Sequence, residues 1–236
     1  MVITTRPVMI EKNHCKNKYR LFSSEAERRL ILQPYEGALA QVNTLMSNLN
    51  NEYVSIFGEA PIQNITSRLK STESIESKLR KMGFEPAASH LDKIYDIAGI
   101  RGICYYRDDV YKVASYLTDR DDIRLLKKSD YIENPKPNGY RSLHLVLEIK
   151  VYSMYGYNYV PVEIQLRTAA MDFWASIEHQ MIYKSKTNIS QEIREKMRIC
   201  AEAVNRIDNF MTDVNMEQSG IHWEQIFSIG EKAHAH

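Results

Sequence analysis

Long apolar runs are missing from this 236-residue sequence, and so is any leading stretch with the pattern of a signal peptide. The expectation that follows is a soluble protein of a reducing, cytoplasmic compartment, with no membrane contact. Cysteine is scarce. Cys15, Cys104 and Cys200 lie far apart and no C-x-x-C spacing occurs, which argues against a disulfide framework and a zinc ribbon. Net charge is nearly absent as well: 31 Lys and Arg stand against 30 Asp and Glu, a formal +1. No global field draws such a chain to DNA or to a bilayer, so any polyanion site must be a local basic cluster. Internal repeats and low-complexity blocks are absent too.

What is present is a globular composition, 44% hydrophobic and 26% charged, on a chain long enough to bury a full core. Residues 1 to 23 are mixed and basic without a period, and are expected to be mobile. A helix is predicted from Pro34, with Tyr35, Leu39, Val42, Leu45, Met46, Leu49, Tyr53 and Ile56 on one stripe and Gly58 and Pro61 ending it. Strands are predicted over Ile62–Lys70, Ile97–Tyr106, Ile123–Lys128, Leu143–Met154 and Tyr159–Arg167. Helices are predicted from a Ser71 or Thr72 cap to Met82, over Val110–Leu117, over Ala169–Tyr183 and from Ser190 to about Met216. The last carries Ile189, Ile193, Met197, Cys200, Val204, Ile207, Met211 and Val214 as core or subunit-interface packing. A short segment at Trp223–Ile229 could cap it, and the closing Ala233-His234-Ala235-His236 reads as a tail. The fold class is α/β (α+β): a mixed sheet of about five strands with helices on its faces and at both ends.

Chemistry concentrates between two predicted strands, in Asp130-Tyr131-Ile132-Glu133-Asn134-Pro135-Lys136-Pro137-Asn138-Gly139-Tyr140-Arg141-Ser142-Leu143-His144. Pro135 and Pro137 stiffen the backbone and Asn138-Gly139 permits a tight turn with positive φ. Lys136 and Arg141 suit phosphate, Tyr140 offers a face to a base, and His144 is a titratable donor. A second constellation is Arg68-x-Lys70-x-x-x-Ser74-x-x-x-Lys78. Arg68 and Lys70 share a strand face, Ser74 and Lys78 a helix face, and a strand running into a helix N-terminus suits a polyphosphate. The alternating strand puts Val162, Ile164 and Leu166 on one face and Glu163, Gln165 and Arg167 on the other. If its neighbour is the strand opened by Asp96, the Asp96 and Glu163 carboxylates can hold one Mg²⁺. His179, beside Trp174 and Tyr183, reads as structural.

Four motifs in order then resemble the RelA/SpoT-type (p)ppGpp synthetase domain: Tyr95-Asp96-Ile97-Ala98-Gly99-Ile100-Arg101, Pro137-Asn138-Gly139-Tyr140-Arg141-Ser142-Leu143-His144, Val162-Glu163-Ile164-Gln165-Leu166-Arg167-Thr168, and Phe173-Trp174-Ala175-x-x-Glu178-His179. The resemblance spans about residues 60 to 185, and the flanking helices are similar to those of the stand-alone small alarmone synthetases. It implies a nucleotidyltransferase-like domain over 61–185, an N-terminal helical extension over 24–60, oligomerising helices over 186–230 and a tail over 231–236. The implied enzyme is a GTP pyrophosphokinase of the stringent response. It moves the β,γ-pyrophosphate of ATP to the 3′-hydroxyl of GTP or GDP and releases AMP; it carries no hydrolase motif. By the same resemblance Arg68 and Arg101 stack on adenine, and Lys70, Ser74 and Lys78 hold ATP phosphates. Asp96 binds Mg²⁺, and Glu163 is metal ligand or general base. Tyr140 stacks on guanine, Lys136 and His144 hold the acceptor's phosphates, and Asn138 and Gln165 belong to the acceptor site. A homotetramer is implied. Lys127-Lys128-Ser129 departs from the family pattern, because an arginine that meets acceptor phosphate often stands at Ser129; this leaves GTP against GDP open. The rival readings are a (p)ppGpp-binding sensor without activity and an RNA-binding module, the second disfavoured by the neutral charge.

Overall fold

The computed structural model describes residues 21–154, 156–184 and 190–219. The chain divides into two compact units, one formed by Met1–Ile31 with Ser71–Ile94, the other by Leu32–Lys70 with Tyr95–His236. In the first unit, helix α2 (Thr72–Lys81) starts on Ser71, whose side chain accepts from the Ser74 amide, and it stops at Gly83, which takes φ +83°. Both ends fall where the cap and glycine predict. A short 3₁₀ helix, Ala88–Lys93, follows; no sequence signal announces it. Leu21 and Phe22 are buried, and the Leu21 amide donates to Glu76 Oε1 at 3.0 Å. Leu21 and Phe22 are thus packed at the end of the segment expected to be mobile, and its first twenty residues lie outside those described, as do Ile189, Trp223–Ile229 and the tail.

Helix α1 (Glu25–Phe57) begins nine residues before the predicted Pro34 and carries that proline inside it. The start is fixed by side-chain capping that hydrophobic periodicity does not reveal. Ser24 Oγ accepts from the Glu27 amide at 3.1 Å while the Glu27 carboxylate reaches back to the Ser23 amide at 2.6 Å. The boundary between the two units falls within α1, just ahead of Pro34.

The second unit is built on a five-stranded sheet in the order β1-β2-β5-β4-β3. Its strands are β1 (Ile62–Leu69), β2 (Ala98–Cys104), β3 (Ile123–Asp130), β4 (Leu143–Ser153) and β5 (Gly156–Thr168). β2 and β5 run parallel, and every other neighbouring pair is antiparallel. One face carries Ala98 and Ile100 of β2, Leu143, Leu145, Leu147 and Ile149 of β4, and Val160, Val162, Ile164 and Leu166 of β5. Against it pack Leu39, Val42, Met46 and Leu49 of α1, at helical spacing, and Val110, Val113, Ala114 and Leu117 of helix α3 (Arg107–Thr118). Ile56, placed on the α1 stripe by sequence, is exposed. The opposite face of the sheet carries most of its polar side chains and is the candidate site.

Helix α5 (Gln191–Ser219) divides the stripe that the sequence assigned to core or subunit-interface packing: Met197 and Val204 pack against Trp174 and Ala201. Ile193, Ile207, Met211 and Val214 of the predicted stripe are exposed, and the buried side is Ala201, Asp208 and Thr212. The helix is fastened by polar contacts that an apolar period cannot register. Thr168 Oγ1 donates to Asp208 Oδ2 at 2.8 Å, the Arg107 amide to Thr212 Oγ1 at 3.3 Å, and Trp174 Nε1, on helix α4 (Ala169–Lys184), to the Met197 carbonyl at 3.0 Å.

Gly102 marks the tightest point of the core. A Cβ there would stand 2.8 Å from Met46 Cε and 2.9 Å from Leu166 Cδ2, so the absent side chain is what lets α1 seat on the sheet. Gly102→Val should cost about 1–3 kcal/mol through overpacking, and Gly102→Ala less, because the Met46 terminus can move. Urea unfolding of the three proteins measures this, and equal midpoints would show that α1 does not seat on β2 as described.

Candidate active site

Strand register assembles the polar face. Arg68 of β1 stands opposite Gly99, and Gly99 opposite Glu163; one step along, Arg101 stands opposite Gln165, and Gln165 opposite His144. Residues in register share a face, so four strands bring Arg68, Arg101, Glu163, Gln165 and His144 together. Asp96 precedes β2 and Lys70 follows β1. The Lys70 amide donates to the Ile97 carbonyl at 2.8 Å, and Lys70 Nζ to Asp96 Oδ2 at 2.9 Å, with both side chains mostly buried. The parallel pairing of β2 with β5 thus supplies what sequence left open: Asp96 and Glu163 lie at adjacent strands, close enough for the charge on Asp96 to raise the Glu163 pKa.

Glu163 sits in a closed ring of side chains. Arg167 Nη2 donates to Tyr140 Oη at 2.6 Å and to Gln165 Oε1 at 2.9 Å. Gln165 Nε2 donates to Glu163 Oε2 at 3.0 Å. Tyr140 Oη lies 2.8 Å from His144 Nε2, and His144 Nδ1 lies 3.7 Å from Glu163 Oε1. Arginine only donates, so the tyrosine hydroxyl accepts from it and turns its own O–H toward His144 Nε2. The ring proton then belongs on Nδ1, facing the carboxylate; the other tautomer would turn a lone pair onto a negative charge. His144 is also the largest cause of a Glu163 pKa below the ordinary carboxylate value. Burial opposes that shift and Gln165 adds to it.

The 130–142 loop holds Tyr140 from the other side. Asp130 Oδ1 accepts the Ile132 and Glu133 amides at 3.0 and 3.1 Å. Gly139 takes φ +91°, and a Cβ on it would stand 2.5 Å from Ala201 Cβ on α5. Arg141 donates to the Ile132 carbonyl at 3.1 Å and pairs with Glu202 of α5 at 3.3 Å. Lys136 Nζ hangs over the rings of both Tyr131 and Tyr140, at 4.6 and 4.8 Å from their centroids. Asn138 uses Oδ1 on the Tyr140 amide and Nδ2 on Glu178 Oε1, at 3.2 and 3.1 Å, so it shapes the loop.

Ser74 and Lys78 lie on α2 in the other unit, one turn apart on one face, with the Ser74 amide capped by Ser71 Oγ. Ser129 is in register with His144, and Lys127 with Val146. Lys127 therefore shares the site face and Lys128 the opposite one, a direction the sequence did not give. His179 is exposed and not a core histidine. Three contributors escaped the sequence reading. Arg167 is 5% exposed, although strand alternation puts it outward on the polar face. Asp172 of α4 binds it, Arg167 Nη1 to Oδ1 at 3.1 Å. Tyr131 stands edge-on to His144, with centroids 5.2 Å apart. Arg167 and Tyr131 had visible signals, one on the polar face of the alternating strand and the other as an aromatic within the loop; Asp172 had none.

Residues 67–188 match the family described as "Region found in RelA / SpoT proteins". The chain is 41% identical over 184 residues to the GTP pyrophosphokinase YwaC of Bacillus subtilis, covering 78% of this chain and 88% of that protein. It is 34% identical to the GTP pyrophosphokinase YjbM of the same organism over 79% of this chain and 88% of that one. Among solved structures, small alarmone synthetase 1 from Bacillus subtilis bound to its product pppGpp superposes with a TM-score of 0.75 at 33% identity, over 82% of this chain and 98% of that one. Small alarmone synthetase 2 from the same organism gives 0.72 at 40% identity, over 79% and 97%. With more than half its length on the family pattern and full-length likeness to these proteins, the chain belongs to the RelA/SpoT family, among its small alarmone synthetases.

Proposed function

We propose that the protein is an ATP:GTP/GDP 3′-pyrophosphotransferase that makes pppGpp or ppGpp. The observation that carries the reading is the ring joining Glu163, His144, Tyr140, Arg167 and Gln165, set beside the Lys70–Asp96 pair on one sheet face. The acceptor 3′-oxygen bonds to the β-phosphorus of ATP, the α–β bridge breaks, and AMP leaves. Catalysis of this kind is mostly positioning and charge neutralisation. Arg68 and Arg101 face the adenine and Lys70 takes the ATP phosphates, while Ser74 and Lys78, on α2, are given the same phosphates by family resemblance alone. Tyr140 faces the guanine; Lys136 and His144 take the acceptor phosphates, with Asn138 and Gln165 completing that side. Lys127, on the site face two residues from Ser129, is the lysine able to replace the missing arginine. Glu163, kept ionised, receives the hydroxyl proton or holds metal.

Mg²⁺ suits the donor set. It accepts one or two carboxylates and completes its shell with water and phosphate; Asp96 and Glu163 are hard oxygen donors that repel each other, and a cation relieves that repulsion. When bound it would neutralise charge on the transferring phosphates. Among the described residues no helix is long and apolar enough to cross a membrane, in keeping with a cytoplasmic enzyme. The exposed Ile207, Phe210, Met211 and Val214 of α5 support a homo-oligomer, a tetramer by family likeness. Light scattering at micromolar concentration checks it, and a monomer alone would remove it.

The direct test is incubation with Mg-ATP and either guanine nucleotide: AMP and a 3′-pyrophosphorylated product must appear together. Binding of the nucleotides without AMP release would favour a sensor. Tyr140→Ala should weaken acceptor binding by about 1–3 kcal/mol and leave ATP binding nearly untouched, as titration calorimetry reads; equal losses would mean a collapsed loop. Glu163→Gln should lower turnover by about 10²–10⁴-fold if the carboxylate is the base. Its depressed pKa also fixes a pH effect. The stabilisation it lends is full above the ordinary value of 4.5 and is lost as pH falls through the lowered folded value. The stability gap between native and Glu163→Gln proteins should close in that acid window and be constant at neutral pH. A gap that widened on acidification would contradict it.

A further inference from the structure

Asp172 stands on the first turn of α4, where a carboxylate is favoured by the helix dipole, and it serves two arginines with one atom. Its Oδ1 accepts from Arg167 Nη1 at 3.1 Å and lies 3.5 Å from Arg101 Nη1. The two guanidiniums belong to different halves of the site. Arg101 is on β2, near enough to Arg68 for their charges to interact, on the side read as the donor's. Arg167 holds the Tyr140 hydroxyl and Gln165, on the acceptor's side. They also repel: after burial, the charge on Arg167 is the largest cause lowering the Arg101 pKa, and Asp172 is the first to oppose it. Arg101 Nε is buried without a hydrogen-bond partner among the described residues, so this guanidinium keeps donor capacity that Asp172 does not use.

We propose that Asp172 is a positioning residue that couples the donor and acceptor sites, because one carboxylate oxygen is shared between Arg101 and Arg167. The inference rests on the two-nucleotide reading above. When a donor base draws Arg101 toward itself, the Arg101–Arg167 repulsion falls and Asp172 is left to Arg167 alone. Arg167 is then held more firmly, and so is the Tyr140 it grips. Donor binding should therefore tighten acceptor binding, and by linkage the acceptor should tighten the donor by the same factor. A residue that merely braced Arg167 would alter acceptor affinity without making it depend on the donor.

The experiment is calorimetric titration of the full chain with GDP in Mg²⁺ buffer, alone and with a saturating non-hydrolysable ATP analogue. The native protein should bind GDP about fivefold or more tightly with the analogue present. In Asp172→Asn that factor should fall toward one. In Asp172→Glu, which keeps the charge, most of it should return. A native factor of one overturns the proposal before any variant is made, so a variant that fails to fold does not shelter it. A factor unchanged in Asp172→Asn overturns it equally. Failure of the native chain to bind either nucleotide would instead overturn the two-nucleotide reading itself, and this proposal with it.

Discussion

The parallel pairing of β2 with β5 is the constraint on which the site depends. It is the one parallel contact in an otherwise antiparallel sheet. Its register sets Gly99 against Glu163, Arg101 against Gln165 and Ile103 against Arg167. A slip of one residue in β5 would send Glu163, Gln165 and Arg167 into the core and bring Val162, Ile164 and Leu166 to the other face. Such a slip is prevented by the apolar face itself, where α1 and α3 bury the alternate residues. The register of the core is therefore also the register of the chemistry.

On that platform the polar groups are ordered by mutual satisfaction. Arg167 is nearly inaccessible and would be costly without partners. Tyr140, Gln165 and Asp172 supply them, and each partner is in turn aimed by the bond it accepts. The chain of donors ends at Glu163, whose carboxylate is ionised more readily than in water. A single buried guanidinium thereby orients an aromatic face, an imidazole and a carboxylate at once.

The 130–142 loop shows how a distant part of the chain shapes the candidate site. Gly139 has neither the side chain nor the ordinary backbone conformation of other residues, and Ala201 presses against the space a Cβ would need. Arg141 and Glu202 close the same junction by charge. Helix α5 thus braces the loop that carries Tyr140, and Asp208 and Thr212 hold the helix in place.

Sequence by itself determined the elements whose signals are local. Alternation in Val160–Leu166, the Ser71 cap with Gly83 beyond it, and the Asn138-Gly139 turn each specify a conformation through neighbouring residues alone. The motif order was enough to identify the family and to nominate Asp96, Glu163, Tyr140 and His144. Signals that were polar or long-range went unseen. The Ser24 cap began α1 ahead of its apolar stripe, and α5 was oriented by Asp208, Thr212 and Ala201 while Ile193, Ile207, Met211 and Val214 faced outward. Tertiary structure alone decided that β2 lies beside β5, that Lys127 and not Lys128 shares the site face, and that Arg167 is buried in a ring closed by Tyr140 and His144. Those outcomes depend on which strands hydrogen-bond and which charges must be neutralised once water is excluded, and neither quantity is a property of residues adjacent in the chain.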